Sequence, residues 1–196
     1  LRWMRDNNHM PKGVPLPEKA VMITLDDGYR SNYELAFPIL QKLETKAVIA
    51  VICGKLDQEA PTYLTWDMCR EMSMSGLVEF GSHTYWLHNL DERNGAYIAG
   101  GPNGIQRLKG ESRENFQARV IDDLEKSAQR LEDELGNEVL YFAYPYGVKD
   151  SWAADYIAGR FAMTVLTREG VADLSKGFYS LPRKTVSMDR RVSRCF

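Results

Sequence analysis

Short apolar runs alternate with longer stretches of helical spacing along this chain. Ala20-Val21-Met22-Ile23-Thr24 reads as a buried strand ending at Asp26-Asp27-Gly28. Residues 31–44 follow with apolar positions at helical spacing, Leu35, Ile39, Leu40 and Leu43. Ala47 to Ile52 forms a second apolar run, closed by Gly54. The pattern then predicts a helix over 65–75, with Thr65 as its N-cap, and a short strand Val78-Glu79-Phe80-Gly81 that runs into Ser82-His83. The clearest helix spans 112–135. Ser112 caps it, Phe116, Val120, Leu124, Leu131 and Leu135 mark one face, and Gly136 stops it. Val139 to Ala143 is a strand ending at Tyr144-Pro145-Tyr146-Gly147. A helix near 151–158, a strand near 161–166 and a final run Phe178-Tyr179-Ser180-Leu181 complete the chain. Between the histidines and the long helix, residues 91–111 hold four glycines in their first fourteen positions and lack periodicity, so a long, mobile rim loop is expected there.

Such alternation predicts an α/β fold with a mostly parallel sheet, open or closed into a barrel. Polar clusters follow the strand ends: Asp26-Asp27 after the first, His83 after the third, Tyr144-Pro145-Tyr146 after a later one. In parallel α/β folds the carboxyl ends of the strands converge on one face, where sites are built.

Composition narrows the classes. With 196 residues, 44% of them hydrophobic, the chain has the length of one domain and enough apolar surface for a core. A formal net charge of −2 gives no bulk attraction to nucleic acid or to an anionic membrane. No run reaches the ~20 apolar residues of a membrane span, and no signal peptide is visible. Cys53, Cys69 and Cys195 form no disulfide framework, and the first two read as buried thiols in apolar segments. The chain starts at Leu1 and not at Met, and reads as part of a longer protein.

Two adjacent carboxylates at the end of a buried strand repel one another and are costly to bury unpaired. Asp-Asp-Gly is equally good chemistry for a solvated turn. The histidines shift the balance. The chain has three, and two lie five positions apart in His83-Thr84-Tyr85-Trp86-Leu87-His88. That spacing is poor for one helix face, but in an irregular turn both imidazoles can converge. One carboxylate with two imidazoles is an open ligand set suited to zinc, iron, cobalt or nickel. The spare carboxylate beside it could then act as a base on water activated there.

At this point Thr24-Leu25-Asp26-Asp27-Gly28 resembles the T-F-D-D-G motif of the polysaccharide deacetylases of carbohydrate esterase family 4, with Leu25 in place of Phe. Ser82-His83-Thr84 followed by His88 resembles the second motif, in the spacing of the branch that deacetylates biofilm poly-N-acetylglucosamine. Phe142-Ala143-Tyr144-Pro145-Tyr146-Gly147 resembles the third. The three occur in the family's order, and the likeness covers roughly residues 18 to 186. It implies a distorted (β/α) barrel, here one catalytic domain over residues 1–196 and truncated at its N-terminus. It implies Asp27, His83 and His88 as ligands of a divalent metal, zinc first, with cobalt and nickel as alternatives. Asp26 would be the general base, the backbone N–H of Tyr146 an oxyanion donor, and Tyr144 and Pro145 the wall beneath the acetyl group. Trp86 and Tyr85 are candidates for stacking on sugar faces, or core and rim aromatics.

Two positions depart from the common pattern. The family's histidine acid has no clear counterpart, because His9 sits in a polar stretch that reads as a solvated loop; in the biofilm branch that acid lies upstream, before the point where this chain starts. The arginine that opens the usual third motif is also missing, and Arg183 in Leu181-Pro182-Arg183 is the candidate to pair with Asp26, or a surface arginine. The activity implied is hydrolysis of N-acetyl groups on an N-acetylglucosamine polymer, extracytoplasmic or at the cell surface, with no nucleic-acid partner and no organic cofactor. Rival readings are another metal-dependent amidase or esterase on the same site, or a catalytically impaired glycan-binding homologue.

Overall fold

The computed structural model describes residues 20–88 and 104–186. Leu1, His9, Cys195 and the 91–103 part of the expected rim loop lie outside those residues. Six strands are ordered along the sheet as they are along the chain, and each neighbouring pair is parallel. They are β1 (Ile23–Leu25), β2 (Ala47–Val51), β3 (Val78–Ser82), β4 (Tyr141–Ala143), β5 (Met163–Glu169) and β6 (Leu181–Arg183). The helices between them are α1 (Phe37–Leu43), α2 (Cys53–Asp57), α3 (Trp66–Met74), α4 (Arg113–Leu135) and α5 (Ser151–Arg160).

Local chemistry sets the helix ends. The Thr65 hydroxyl accepts from the Met68 N–H, Ser112 from Asn115, and the Asp150 carboxylate from Trp152 and Ala153. Each satisfies an amide that the helix cannot pair itself. Gly136 closes α4 in the left-handed conformation. The short helix α2 was not foreseen; its sequence, Cys-Gly-Lys-Leu-Asp, is too brief to show a period.

Both faces of the sheet are buried, as expected of parallel strands. Ile49 and Val51 of β2 pack with Phe80, Phe142, Leu124 and Leu131 toward the helices. Alternate residues, Val48, Ala50, Tyr141, Ala143, Met163 and Val165, form a second cluster on the inner, concave side with Phe178 and Leu181. The sheet curls far enough for its two edge strands to meet through side chains: Arg183 of β6 donates to Thr24 Oγ1 of β1 at 3.1 Å. The fold is thus a distorted (β/α) barrel left open between β1 and β6.

Three expectations need correction. The strand over residues 20–24 is only Ile23–Leu25, and it is an edge strand, with Val21 62% and Met22 44% exposed. Of the expected row Leu35, Ile39, Leu40 and Leu43, only Leu40 faces the core, joined there by Asn32 and Phe37, while the other three face solvent. The segment offers two apolar stripes. A π-helical turn over Asn32–Ala36, which advances the chain by less rotation per residue than an α-turn, presents the other one. Part of the expected mobile rim is also fastened. Ile105 is buried, and Arg119 of α4 donates to the carbonyls of Gly104 and Gln106 and to Glu111.

Candidate active site

The site lies at the carboxyl ends of β1, β3, β4 and β6. After β1 the chain reverses through Asp26-Asp27-Gly28, where the Gly28 N–H donates to the Asp26 carbonyl at 2.9 Å. Asp27 (φ 70°) and Gly28 (φ 78°) are both left-handed. Gly28 is required twice over, because a Cβ there would also lie 2.7 Å from Cγ1 of Val51. The turn is held from outside, since the Leu64 N–H donates to the Gly28 carbonyl and the Arg30 N–H to that of Thr62, both at 2.9 Å.

His83 follows β3 directly and is buried; its N–H donates to the Val51 carbonyl at 2.9 Å. Nδ1–H donates to the Ala143 carbonyl at 2.7 Å. That bond fixes the tautomer, so Nε2 is the free nitrogen and points at Asp27, 3.3 Å from Oδ1. Nε2 of His88 is 3.5 Å from the same oxygen. The donor atoms of Asp27, His83 and His88 all lie within 4.8 Å of one another. A bare imidazole lone pair facing a carboxylate is repulsive, so a proton or a cation belongs between them. Ligands ~2.1 Å from one ion at near-tetrahedral angles stand roughly 3.4 Å apart. The residues therefore fit a divalent metal of the zinc type, which Asp27, His83 and His88 would hold.

Electrostatics agree. Burial alone would raise Asp27, but the hydrogen bond and charge of His83, the charge of His88 and the Tyr29 hydroxyl outweigh it and hold the carboxyl below its ordinary value. Burial, and then the neighbouring His83, push His88 down to about 4, against the opposing pull of Asp27 and Asp26. At neutral pH His88 is a neutral imidazole, the state in which it can ligate.

Asp26 is not part of this cluster and is gripped by Arg183. The guanidinium donates to Oδ1 at 2.9 Å and to Oδ2 at 2.6 Å, a two-pronged pair. Its Nε–H donates to the Leu166 carbonyl at 2.9 Å. The two aspartates next to each other thus have separate partners, which resolves their mutual repulsion.

The remaining sequence candidates are placed as follows. Tyr146 is half-exposed at φ 56° in the 3₁₀ turn Pro145–Gly147, and its ring centroid is 4.6 Å from that of His88. Pro145 is buried, and Tyr144 lies in the core edge-on to Phe142. Trp86 is half-buried over Gly54, with Lys55 Nζ 5.5 Å from its ring centre. Tyr85 is buried and donates its hydroxyl to Asp57 at 2.9 Å, so it is no sugar platform. Two residues escaped the sequence reading. Tyr29 bonds Asp27 and stacks on Tyr63 with ring centroids 5.0 Å apart. Asp123 lies on the buried face of α4; its signal was a carboxylate interrupting the apolar stripe between Val120 and Leu124.

Fold and site together define a curled parallel α/β protein with a carboxylate–imidazole cluster and a separate carboxylate at its strand ends. The chain belongs to the polysaccharide deacetylase family, whose model matches residues 13–164. It is 31% identical over 206 residues to a poly-β-1,6-N-acetyl-D-glucosamine N-deacetylase of Staphylococcus aureus, covering 96% of this chain and 65% of that protein. To the Escherichia coli K12 protein of the same name it is 28% identical over 218 residues, covering 94% of this chain and 32% of that one. The chain therefore spans about a third to two thirds of the length of these relatives. Among solved structures, the deacetylase domain of BpsB from Bordetella bronchiseptica superposes with a TM-score of 0.76 at 26% identity, over 94% of this chain and 82% of that one. IcaB from Ammonifex degensii gives 0.69 at 28% identity, over 90% and 71%.

Proposed function

We propose that this chain carries the catalytic site for hydrolysing N-acetyl groups on an N-acetylglucosamine polymer, with poly-β-1,6-N-acetylglucosamine as the leading substrate. The observation that carries this reading is the division of labour between the two adjacent aspartates: Asp27 faces His83 and His88, while Asp26 is held apart by Arg183. Its relatives of the same family bear the name of that activity.

A divalent cation held by Asp27, His83 and His88, zinc first and cobalt or nickel as alternatives, would supply Lewis acidity that polarises the acetyl carbonyl and makes water more acidic. Asp26 accepts a proton from the water that adds to the carbonyl carbon, and Arg183 holds its two oxygens in place. The backbone N–H of Tyr146 serves the oxygen that gains negative charge as the carbon becomes tetrahedral. Tyr144 and Pro145 support this wall from the core side, and Trp86 flanks the site. The carbon–nitrogen bond then breaks, releasing acetate and a glycan amine that takes up a proton. A donor for that proton contributes ~10²–10⁴-fold in such reactions; His9 is the candidate within this sequence. Action on such a polymer fits an extracytoplasmic or cell-surface location. No helix among the described residues is long and apolar enough to cross a membrane.

The test is acetate release from partly N-acetylated β-1,6-glucosamine oligomers by the longest chain that shows activity. Asp26→Asn should bind metal as well as the parent does and lose most turnover, because an amide cannot take the proton. Retained turnover would remove Asp26 from the base role.

A further inference from the structure

The loop from His83 to His88 adopts a conformation it would not choose alone. Thr84 sits at φ 75°, a region that β-branched residues rarely enter. Something beyond the loop must hold it there.

Two consecutive peptide planes in the loop are gripped at both ends. In the first, the Thr84 carbonyl accepts from the Cys53 N–H at 3.2 Å, and the Tyr85 N–H donates to Asp123 Oδ1 at 2.8 Å. In the second, the Tyr85 carbonyl accepts from the Gly54 N–H at 3.1 Å, and the Trp86 N–H donates to Asp123 Oδ2 at 2.7 Å. The start of α2 thus takes both carbonyls, and one carboxylate on α4 takes both amides. Gly54 permits this approach, since a Cβ there would stand 2.6 Å from Cδ2 and Cζ2 of the Trp86 ring. One helical turn beyond Asp123, the Ser127 hydroxyl meets the Ser82 hydroxyl at 2.6 Å, and Ser82 Oγ accepts from the Thr84 N–H at 3.1 Å.

Asp123 is 8% exposed. Burial pushes it up to about 7, while the two backbone amides favour its ionised form. A carboxylate at this depth carries a desolvation cost, which the two amide hydrogen bonds offset. Its two oxygens match two adjacent N–H groups midway between the two imidazoles, a fit no hydrophobe can supply.

We propose that Asp123 is a positioning residue that sets the spacing and orientation of His83 and His88 by clamping the two peptide planes between them. The inference rests on the reading of Asp27, His83 and His88 as a metal site. Removing the clamp frees both planes to rotate and lets Thr84 relax, so the imidazoles no longer converge at the distance one ion needs. Loss of a group that orients ligands typically lowers metal affinity ~10–100-fold.

The experiment compares zinc affinity by competition titration, the visible spectrum of the cobalt-loaded protein, and the melting temperature of the metal-free protein. The proteins are the parent, His83→Ala, Asp123→Asn and Val120→Ala. Asn can accept one of the two amides but turns an NH₂ toward the other. Val120 is buried one turn earlier on α4 and serves as a stability control. Asp123→Asn should bind zinc ~10–100-fold more weakly and alter the cobalt spectrum, whereas Val120→Ala should melt lower with affinity and spectrum unchanged. Parent-like affinity in Asp123→Asn, or an affinity loss in Val120→Ala that scales with melting temperature in the same way, would overturn the proposal. Failure of the metal-site reading shows elsewhere, as a parent that binds no metal or a His83→Ala that binds it fully, and would overturn the proposal with it. If Asp123→Asn does not fold, Ser127→Ala replaces it, removing a single hydroxyl from the same anchoring face. A weaker zinc complex with an altered cobalt spectrum then supports the clamp, and unchanged binding overturns it.

Discussion

Replacing Arg183 by Met tests whether one guanidinium both orients Asp26 and ties the edges of the sheet. The native side chain donates to both Asp26 oxygens, to Thr24 Oγ1 and to the Leu166 carbonyl. The ion-paired side chains are 17% and 24% exposed. That places the pair between an exposed bridge, worth ~0–1 kcal/mol, and a fully buried one, whose breakage costs ~3–5 kcal/mol. Discounting the buried figure for solvent, removal of either partner should cost about 2–3 kcal/mol. For a domain of this size each kcal/mol moves the melting temperature by ~2–4 °C, so Arg183→Met should melt about 4–12 °C lower. Met keeps a long unbranched stem, so the loss reports the charge and hydrogen bonds more than packing. Asp26→Asn should be destabilised as well, and the double variant should lose less than the two single losses added, by ~1 kcal/mol or more. Thermal and urea denaturation of the four metal-free proteins measures the cycle. Strictly additive losses would mean that the pair is not coupled in solution, and the account of both Asp26 and the curled sheet edge would fail.

Three further outcomes follow. His83→Ala and His88→Ala should each strip most of the divalent metal from the purified protein by elemental analysis; full occupancy in both would sink the ligand assignment. Gly28→Ala should destabilise the fold by about 2–4 kcal/mol, from the left-handed backbone and the collision with Val51 together, and an unchanged melting curve would show that the turn relaxes freely. Burial pushes the Cys53 thiol up to about 12 and raises Cys69 as well. Both should therefore resist alkylation at pH 8 until the protein is denatured, and rapid native labelling located at either residue by mass spectrometry would contradict that burial.

The order of strands and helices was legible because each element is bounded by chemistry that acts locally. Thr65, Ser112 and Gly136 mark helix ends by satisfying or releasing backbone groups within a few residues. What was illegible depends on partners far along the chain. Of the row read on residues 31–44, Leu40 is buried while Leu35, Ile39 and Leu43 are exposed, because only packing against the sheet shows that Phe37 and Leu40 share the inward face. In the site, the convergence of Asp27, His83 and His88 follows from strand ends of a parallel sheet, so their sequence pattern was informative. Arg183 could be named as a partner of Asp26 only through resemblance, since 157 positions separate them. Asp123 drew no reading at all, because the amides it binds lie 37 and 38 positions away, although a carboxylate inside an apolar stripe is the kind of local inconsistency that marks a constrained position.

The three turns that carry the motifs share a backbone property. Each contains one residue other than glycine in the left-handed region: Asp27 at φ 70°, Thr84 at 75° and Tyr146 at 56°. Such residues cost ~1–3 kcal/mol each and persist only where the surroundings over-determine them. The surroundings differ in kind. Asp27 is tolerated because aspartate enters this region readily and Gly28 follows it. Tyr146 lies in a tight 3₁₀ turn whose carbonyl accepts from the Thr167 hydroxyl at 3.1 Å. Thr84 has the least intrinsic tolerance and the densest set of external bonds, from α2, α4 and Ser82. The amount of scaffolding thus scales with the strain it must offset. Each of the three left-handed residues sits just past the end of its strand, where the chain reverses across the top of the sheet. Strain in these turns thus accompanies the placing of site residues at strand ends, and the buried polar groups on α4 help to hold the most strained of them, Thr84.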